Sequence, residues 1–215
     1  MSVVWVVLTA GVLVCGCADA ERDRLKQEKI RLVAQEEARI KKRIASSIQQ
    51  AITPMDPKVR AFALRMVGLF PGEYNFGQVC VVWDYMKKNW RYVSDPRAFD
   101  YFAPAFESID AGLSGDCDDF AILMASCIEA IGGNARIVLS YNKTTAHAYC
   151  EVFASDSPEQ IQKLASEASD LGAKSIYFHR DRQGYWLNLD YSSDYPGGPF
   201  PHSVFEIVVY PDGQW

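Results

Sequence analysis

The sequence predicts an α+β domain preceded by a long N-terminal helix. Three observations lead to that class. Apolar residues recur at helical spacing as far as Gly132-Gly133, the period then shortens toward two, and proline or glycine breaks separate the segments. Helices first and antiparallel strands afterwards is the order of an α+β architecture. The chain divides accordingly into an apolar terminus over 1–18, a charged helical stalk over 19–52 and a globular domain over 53–215.

From Ser2 to Ala18 every residue is apolar or small, about 17 residues, at the short limit for crossing a hydrocarbon layer of about 30 Å. A cleaved signal peptide, a membrane anchor and a bacterial-type lipoprotein signal all fit such a run. The order Val14-Cys15-Gly16-Cys17-Ala18 resembles a lipobox, whose small residue before the cysteine admits the processing peptidase. Cys17 is therefore the expected site of lipid attachment, on an extracytoplasmic, membrane-associated protein. No Lys or Arg precedes the run, whereas Arg22, Arg24, Lys26, Lys29 and Arg31 follow it. By the positive-inside rule that asymmetry gives the alternative, an anchored protein with a cytoplasmic domain.

Ala20 to about Gln50 is rich in Glu, Lys, Arg, Gln and Ala and holds no Gly or Pro, which predicts one long helix. Ile40, Ile44, Ile48 and Ile52 form a narrow stripe, but Leu25, Ile30, Leu32 and Val33 keep no heptad. A solvated stalk whose last turns dock on the domain is expected in preference to a coiled coil.

Thr53-Pro54-Met55-Asp56-Pro57 breaks that helix, since proline removes a donor and pushes its predecessor out of the α region. Lys58 to Phe70 and Phe76 to Asn89 read as helices, the second carrying Val79, Val82, Trp83 and Met86 on one face. Arg91 to Gly115 reads as irregular. An apolar helix from Phe120 to Ile131 ends at Gly132-Gly133. Ala135 to Tyr141 and Ala146 to Phe153 read as strands joined by a turn at Asn142-Lys143. Ser157 to Leu171 reads as an inserted helix, with Ser157 as its cap and Pro158 at its first position. Ser175 to His179, Tyr185 to Asp190 and Ser203 to Tyr210 complete the strands.

Composition excludes two function classes. Hydrophobic residues make up 49% of the chain, with five Trp and eleven each of Tyr and Phe, too much apolar surface for a disordered chain. A net charge of −5 without a basic patch argues against nucleic-acid binding. Six cysteines without a CxxC pair fit neither a disulfide scaffold nor a structural zinc site.

Chemistry concentrates at three places. Gly115-Asp116-Cys117-Asp118-Asp119 sets a cysteine where a loop becomes the first turn of an apolar helix, where unpaired amides and the helix dipole favour a thiolate. The flanking carboxylates oppose ionisation, so a cationic partner is needed. His147 heads a strand and is the expected base; Asp190 ends a later strand, where a carboxylate can fix the imidazole tautomer.

Those three blocks resemble the transglutaminase-like superfamily, which shares a core with papain-like cysteine peptidases. The resemblance covers about Trp83 to Asp190. It comprises Gly115-Asp116-Cys117-Asp118-Asp119 with its helix through Gly132, His147-Ala148-Tyr149 with Glu151-Val152, and Tyr185-Trp186-Leu187-Asn188-Leu189-Asp190. It implies a Cys117/His147/Asp190 triad at one end of an antiparallel sheet, with Cys117 on a helix packed against that sheet. The implied partner is a peptide or protein substrate; no cofactor is expected. Tyr149 stands where many members carry Trp, an extra helix separates His147 from Asp190, and the sandwich domains of cross-linking enzymes are not seen. Hydrolysis of an amide through an acyl-enzyme is therefore expected, with transamidation and non-catalytic peptide binding as alternatives.

An oxyanion formed at Cys117 needs donors: its own amide first, with Trp90, Tyr92 and Gln78 as candidates for the second. Cys80, Cys127 and Cys150 read as packed thiols, and His179 and His202 as exposed or locally hydrogen-bonded. Asp194 is placed beside the substrate cleft. Asp116, Asp118 and Asp119 lack the spacing and downstream Glu of a calcium loop, and carboxylates gather at helix N-termini for dipole reasons alone, so no metal is expected.

Overall fold

A computed structural model describes residues 5–68, 70–95, 101–170 and 175–212. Within these ranges side chains are described from Ala20 onward except at 167–170, so lipid attachment at Cys17 lies outside the described residues. Among the described residues no helix is long and apolar enough to cross a membrane. The chain forms two compact units, Met1–Ile44 and Ala45–Trp215.

Helix α1 (Trp5–Ala51) supplies the first unit and enters the second. In the first unit Leu25, Ile30, Leu32 and Val33 are exposed, and i,i+3 pairs such as Arg31–Glu28 (3.2 Å) run along the surface. Such pairs are worth only about 0.3–0.5 kcal/mol each, so this stretch is a solvated helix held by propensity. The second unit runs from Ala45, and Ala45, Ile48, Ala51 and Ile52 are buried.

Helix α2 (Pro57–Val67) starts on Asp56, whose carboxylate accepts from the Lys58 and Val59 amides. Helix α3 (Phe76–Asn89) opens on a capping box between Asn75 and Gln78 and buries Val79, Val82, Trp83 and Met86. The stretch read as irregular contains three short elements: β1 (Arg91–Tyr92), α4 (Ala105–Asp110) and β2 (Ser114–Gly115). They are too short to show a period, and the parallel β1–β2 pairing is a long-range contact. Helix α5 (Cys117–Ala130) is apolar all round and buried from Asp119 almost to its end, as expected of a central helix.

A five-stranded antiparallel sheet follows, built from β3 (Ala135–Tyr141), β4 (Ala146–Ser155), β5 (Phe178–Arg180), β6 (Tyr185–Asn188) and β7 (Phe205–Val209) in the order β5-β6-β4-β3-β7. Helix α6 (Pro158–Asp170) is inserted after β4 and starts on Ser157, whose hydroxyl accepts from the Gln160 amide. Register assigns the faces, since side chains alternate along a strand. Ile137, Cys150, Leu187 and Val209 lie on one face, and α5 packs on β3 and β4. His147, Tyr149 and Glu151 of β4, with Arg136 and Ser140 of β3 and Asn188 of β6, lie on the other. The apolar face drives burial, and the second face carries the polar groups.

Candidate active site

Local geometry delivers Cys117 to the start of α5. A Cβ on Gly115 would come within 2.6 Å of the Asp119 Cβ, so only glycine lets this turn close. The turn then makes a capping box: the Asp116 carboxylate accepts from the Asp118 amide (3.2 Å), and Asp119 accepts from the Asp116 amide (3.2 Å). Asp119 also accepts from the Ala103 amide (3.1 Å), tying in the segment before α4. Two of the three acids are thus structural. Cys117 occupies the first helical position, where its amide has no intrahelical acceptor and the dipole favours a negative sulfur.

His147 is the second residue of β4, in register with Ser140, whose hydroxyl donates to the His147 carbonyl (3.2 Å). Its Nε2 lies 2.9 Å from both carboxylate oxygens of Asp190. Nδ1 is the nitrogen left for the Cys117 sulfur, with which the imidazole also interacts. Burial alone would lower the imidazole pKa; hydrogen bonds to Asp190 and Cys117 outweigh it and push the value up to about 10. The structure therefore brings Cys117, His147 and Asp190 together.

The raised value is also a statement about stability. A histidine reference value of 6.5 and a folded value of about 10 mean that the protonated state stabilises the fold fully below about pH 6.5. That contribution is lost as pH rises through about 10. His147→Gln is expected to remove this alkaline loss, seen as a smaller decline in melting temperature between neutral pH and about pH 10 than in the wild type. Equal declines in the two proteins would contradict it.

Asp190 follows Leu189 just beyond the end of β6, and its carboxylate is 1% exposed. Its amide donates to the Asn188 Oδ1 (2.9 Å), and the buried Asn188 amide nitrogen donates to Ser193 Oγ and to the Gly198 and Pro199 carbonyls. Tyr191 packs on Phe120 of α5 (5.3 Å), stacks on Tyr92 (6.0 Å), and accepts a hydrogen bond from Lys87 at its carbonyl. The chain carrying the carboxylate is thereby fastened to the helix carrying the sulfur.

The three second-donor candidates separate. Pairing of β1 with β2 sets Trp90 and Tyr92 beside the turn before Cys117. Trp90 is 8% exposed, edge-on to Phe120 at 5.2 Å, and its Nε1 is buried without a hydrogen-bond partner. Tyr92 is 53% exposed. Gln78 is not brought to the site: its side-chain nitrogen donates to the Phe70 carbonyl (2.9 Å) and its oxygen accepts from the Asn75 amide. It sits at the far end of α3, about 18 Å along the axis from Trp90. A polar residue early in a helix caps as readily as it catalyses, which the sequence does not distinguish.

Burial pushes the Cys80 thiol up to about 11, and raises the Cys127 and Cys150 thiols well above the ordinary range. These three are free, protonated thiols. Asp194 is exposed on the loop after Asp190, and His202 is exposed. Asp116, Asp118 and Asp119 offer oxygens within 4.8 Å of one another, and burial followed by its acidic neighbours pushes Asp118 up to about 9. Among the described residues this all-oxygen set is the group suited to a hard cation.

Sequence reasoning missed a second polar cluster. Arg136 is 3% exposed and Glu151 is fully buried, with Arg136 Nε 2.5 Å from Glu151 Oε2. His179 Nδ1 lies 2.6 Å from Glu151 Oε1, and its ring stacks on Phe200 at 3.6 Å. The available signal was an Arg and a Glu at inward positions of otherwise apolar strands.

The sequence pattern of the transglutaminase-like superfamily matches residues 60–191. The chain belongs to that superfamily. No curated protein matches it. Among solved structures, calcium-bound LapG of Legionella pneumophila is 17% identical, with a TM-score of 0.47 over 80% of this chain and 90% of that one. A protein described as a candidate cysteine protease of Cytophaga hutchinsonii is 24% identical, with a TM-score of 0.37 over 45% of this chain. The aligned part is 33% of that protein, about a third of its length. A TGase structure is 14% identical, with a TM-score of 0.41 over 69% of this chain and 34% of that one. Within the superfamily's matched span lie all three residues of the candidate relay, Cys117, His147 and Asp190.

Proposed function

We propose that the protein is a thiol-dependent amide hydrolase that cleaves a peptide or protein amide through a Cys117 acyl-enzyme. One observation carries this: His147 Nε2 is held 2.9 Å from the Asp190 carboxylate, on an imidazole that the Cys117 side chain also influences. A fixed, protonated imidazole is the counter-ion a thiolate needs among acidic neighbours. Cys117 Sγ attacks the carbonyl carbon, and the oxygen takes the negative charge. His147 then gives its proton to the amine nitrogen as the C–N bond breaks, leaving a thioester and the free amine. Water, deprotonated by the neutral imidazole, attacks the thioester and releases the carboxylic acid and the thiolate.

The Cys117 amide and Trp90 Nε1 are the donors assigned to the oxyanion. A buried indole N–H without a partner supports Trp90 over the exposed Tyr92. Trp90→Phe keeps the packing and removes the donor. It is expected to lower kcat about a hundredfold with little change in KM; a kcat within a factor of about two would leave Trp90 a packing residue.

The decisive test incubates the protein with a peptide library and reads products by mass, with Cys117→Ala as control. Cleavage that needs Cys117 supports hydrolysis, amine incorporation would assign a transamidase, and neither would leave a peptide-binding module. Lipid attachment at Cys17 is proposed as the membrane tether; the protein is expected to leave the membrane-processing pathway as a larger precursor when lipoprotein processing is inhibited.

A further inference from the structure

Burial makes the Asp190 carboxylate dependent on its donors. It is 1% exposed and, as an acceptor-only group, has about four lone-pair sites to satisfy. His147 Nε2 straddles the two oxygens at 2.9 Å each, so this contact by itself does little to fix the rotation of the carboxylate. Ser192 distinguishes them: its amide donates to Oδ1 (2.8 Å) and its hydroxyl to Oδ2 (2.7 Å). Asn188 meanwhile holds the Asp190 backbone. Ser192 itself is exposed, so its hydroxyl fills no part of the core.

We propose that Ser192 is a positioning residue, holding the Asp190 carboxylate in the plane from which it orients His147; this rests on the relay proposed above. Without the hydroxyl, the Ser192 amide still holds Oδ1 but Oδ2 keeps only the shared imidazole proton, so the carboxylate is pinned at one oxygen instead of two. The imidazolium then loses its fixed counter-charge, and the ion pair with the Cys117 thiolate weakens. Neither substrate nor sulfur needs to touch Ser192 for this to happen.

The test measures alkylation of Cys117 by iodoacetamide in the full chain between about pH 4 and 9, quantified by mass on the Cys117 peptide. In the wild type, alkylation is expected to be faster than that of a free thiol near pH 6. Ser192→Ala is expected to slow it about tenfold there and to move the profile to higher pH, the loss that one hydrogen bond to a charged group implies. Ser192→Thr keeps the hydroxyl and is expected to retain the wild-type profile. Unchanged melting temperatures across the three proteins would show that the effect is not unfolding. A Ser192→Ala profile that overlays the wild type overturns the positioning role, as does an equal loss in Ser192→Thr. Wild-type alkylation no faster than a free thiol overturns the relay itself, whatever the variants do.

Discussion

Replacing Cys117 by alanine is expected to lower amide hydrolysis by about a thousandfold or more, because the step removed is bond formation itself. What remains is the background that oriented binding and oxyanion donors sustain without a nucleophile. Selective alkylation should vanish with it. Cys127 and Cys150 are buried thiols whose burial keeps them protonated, and Cys80 is raised to about 11, so none of them should substitute at neutral pH. The fold should survive, since Cys117 is only partly buried and α5 is anchored by the Asp116–Asp119 capping box and an apolar face that the substitution leaves intact. Hydrolysis by Cys117→Ala within tenfold of the wild type, in a protein of unchanged melting temperature, would end the covalent mechanism.

Arg136→Ala is expected to destabilise the fold by about 3–5 kcal/mol, the usual cost of leaving one member of a buried ion pair alone. Arg136 donates to Glu151, to Asp181 and to the Tyr210 hydroxyl (2.9 Å), and its guanidinium lies 4.1 Å from the Trp186 ring centre. Glu151 is fully buried and would keep only His179. Lysine should not rescue, because an ammonium cannot reach several acceptors in one plane. Replacing Arg136 and Glu151 together by leucine should cost less than Arg136→Ala alone, since no uncompensated charge is left buried. Urea unfolding reads both comparisons as shifts in midpoint at constant slope. A midpoint for Arg136→Ala close to the wild-type value would mean that Glu151 finds another partner or holds a proton.

Much of the fold was legible because it rests on periods. The boundaries of α3 and β3 match those read from the pattern of apolar residues, and α6 starts on the Ser157 cap that Pro158 announced. The short elements between Arg91 and Gly115 were not legible, as a six-residue helix and two-residue strands leave no period to detect. Within the site, Cys117, His147 and Asp190 stood out through residue type and placement at element ends. Gln78 stood out for the same reasons and is engaged in capping at the other end of its helix.

The residue order alone determined where the longer helices and strands lie and singled out three candidate side chains, since apolar spacing, capping residues and breakers act within a few residues of one another. The tertiary structure decided what those side chains meet. Pairing with β3 fixes His147 on β4, the chain leaving β6 brings Asp190 to its Nε2, and the loop after Asp190 brings Ser192 onto the carboxylate. Arg136 and Glu151 interrupt otherwise apolar strands, but local patterning does not show that they face one another; only cross-strand pairing, which joins residues distant in sequence, makes them a buried pair.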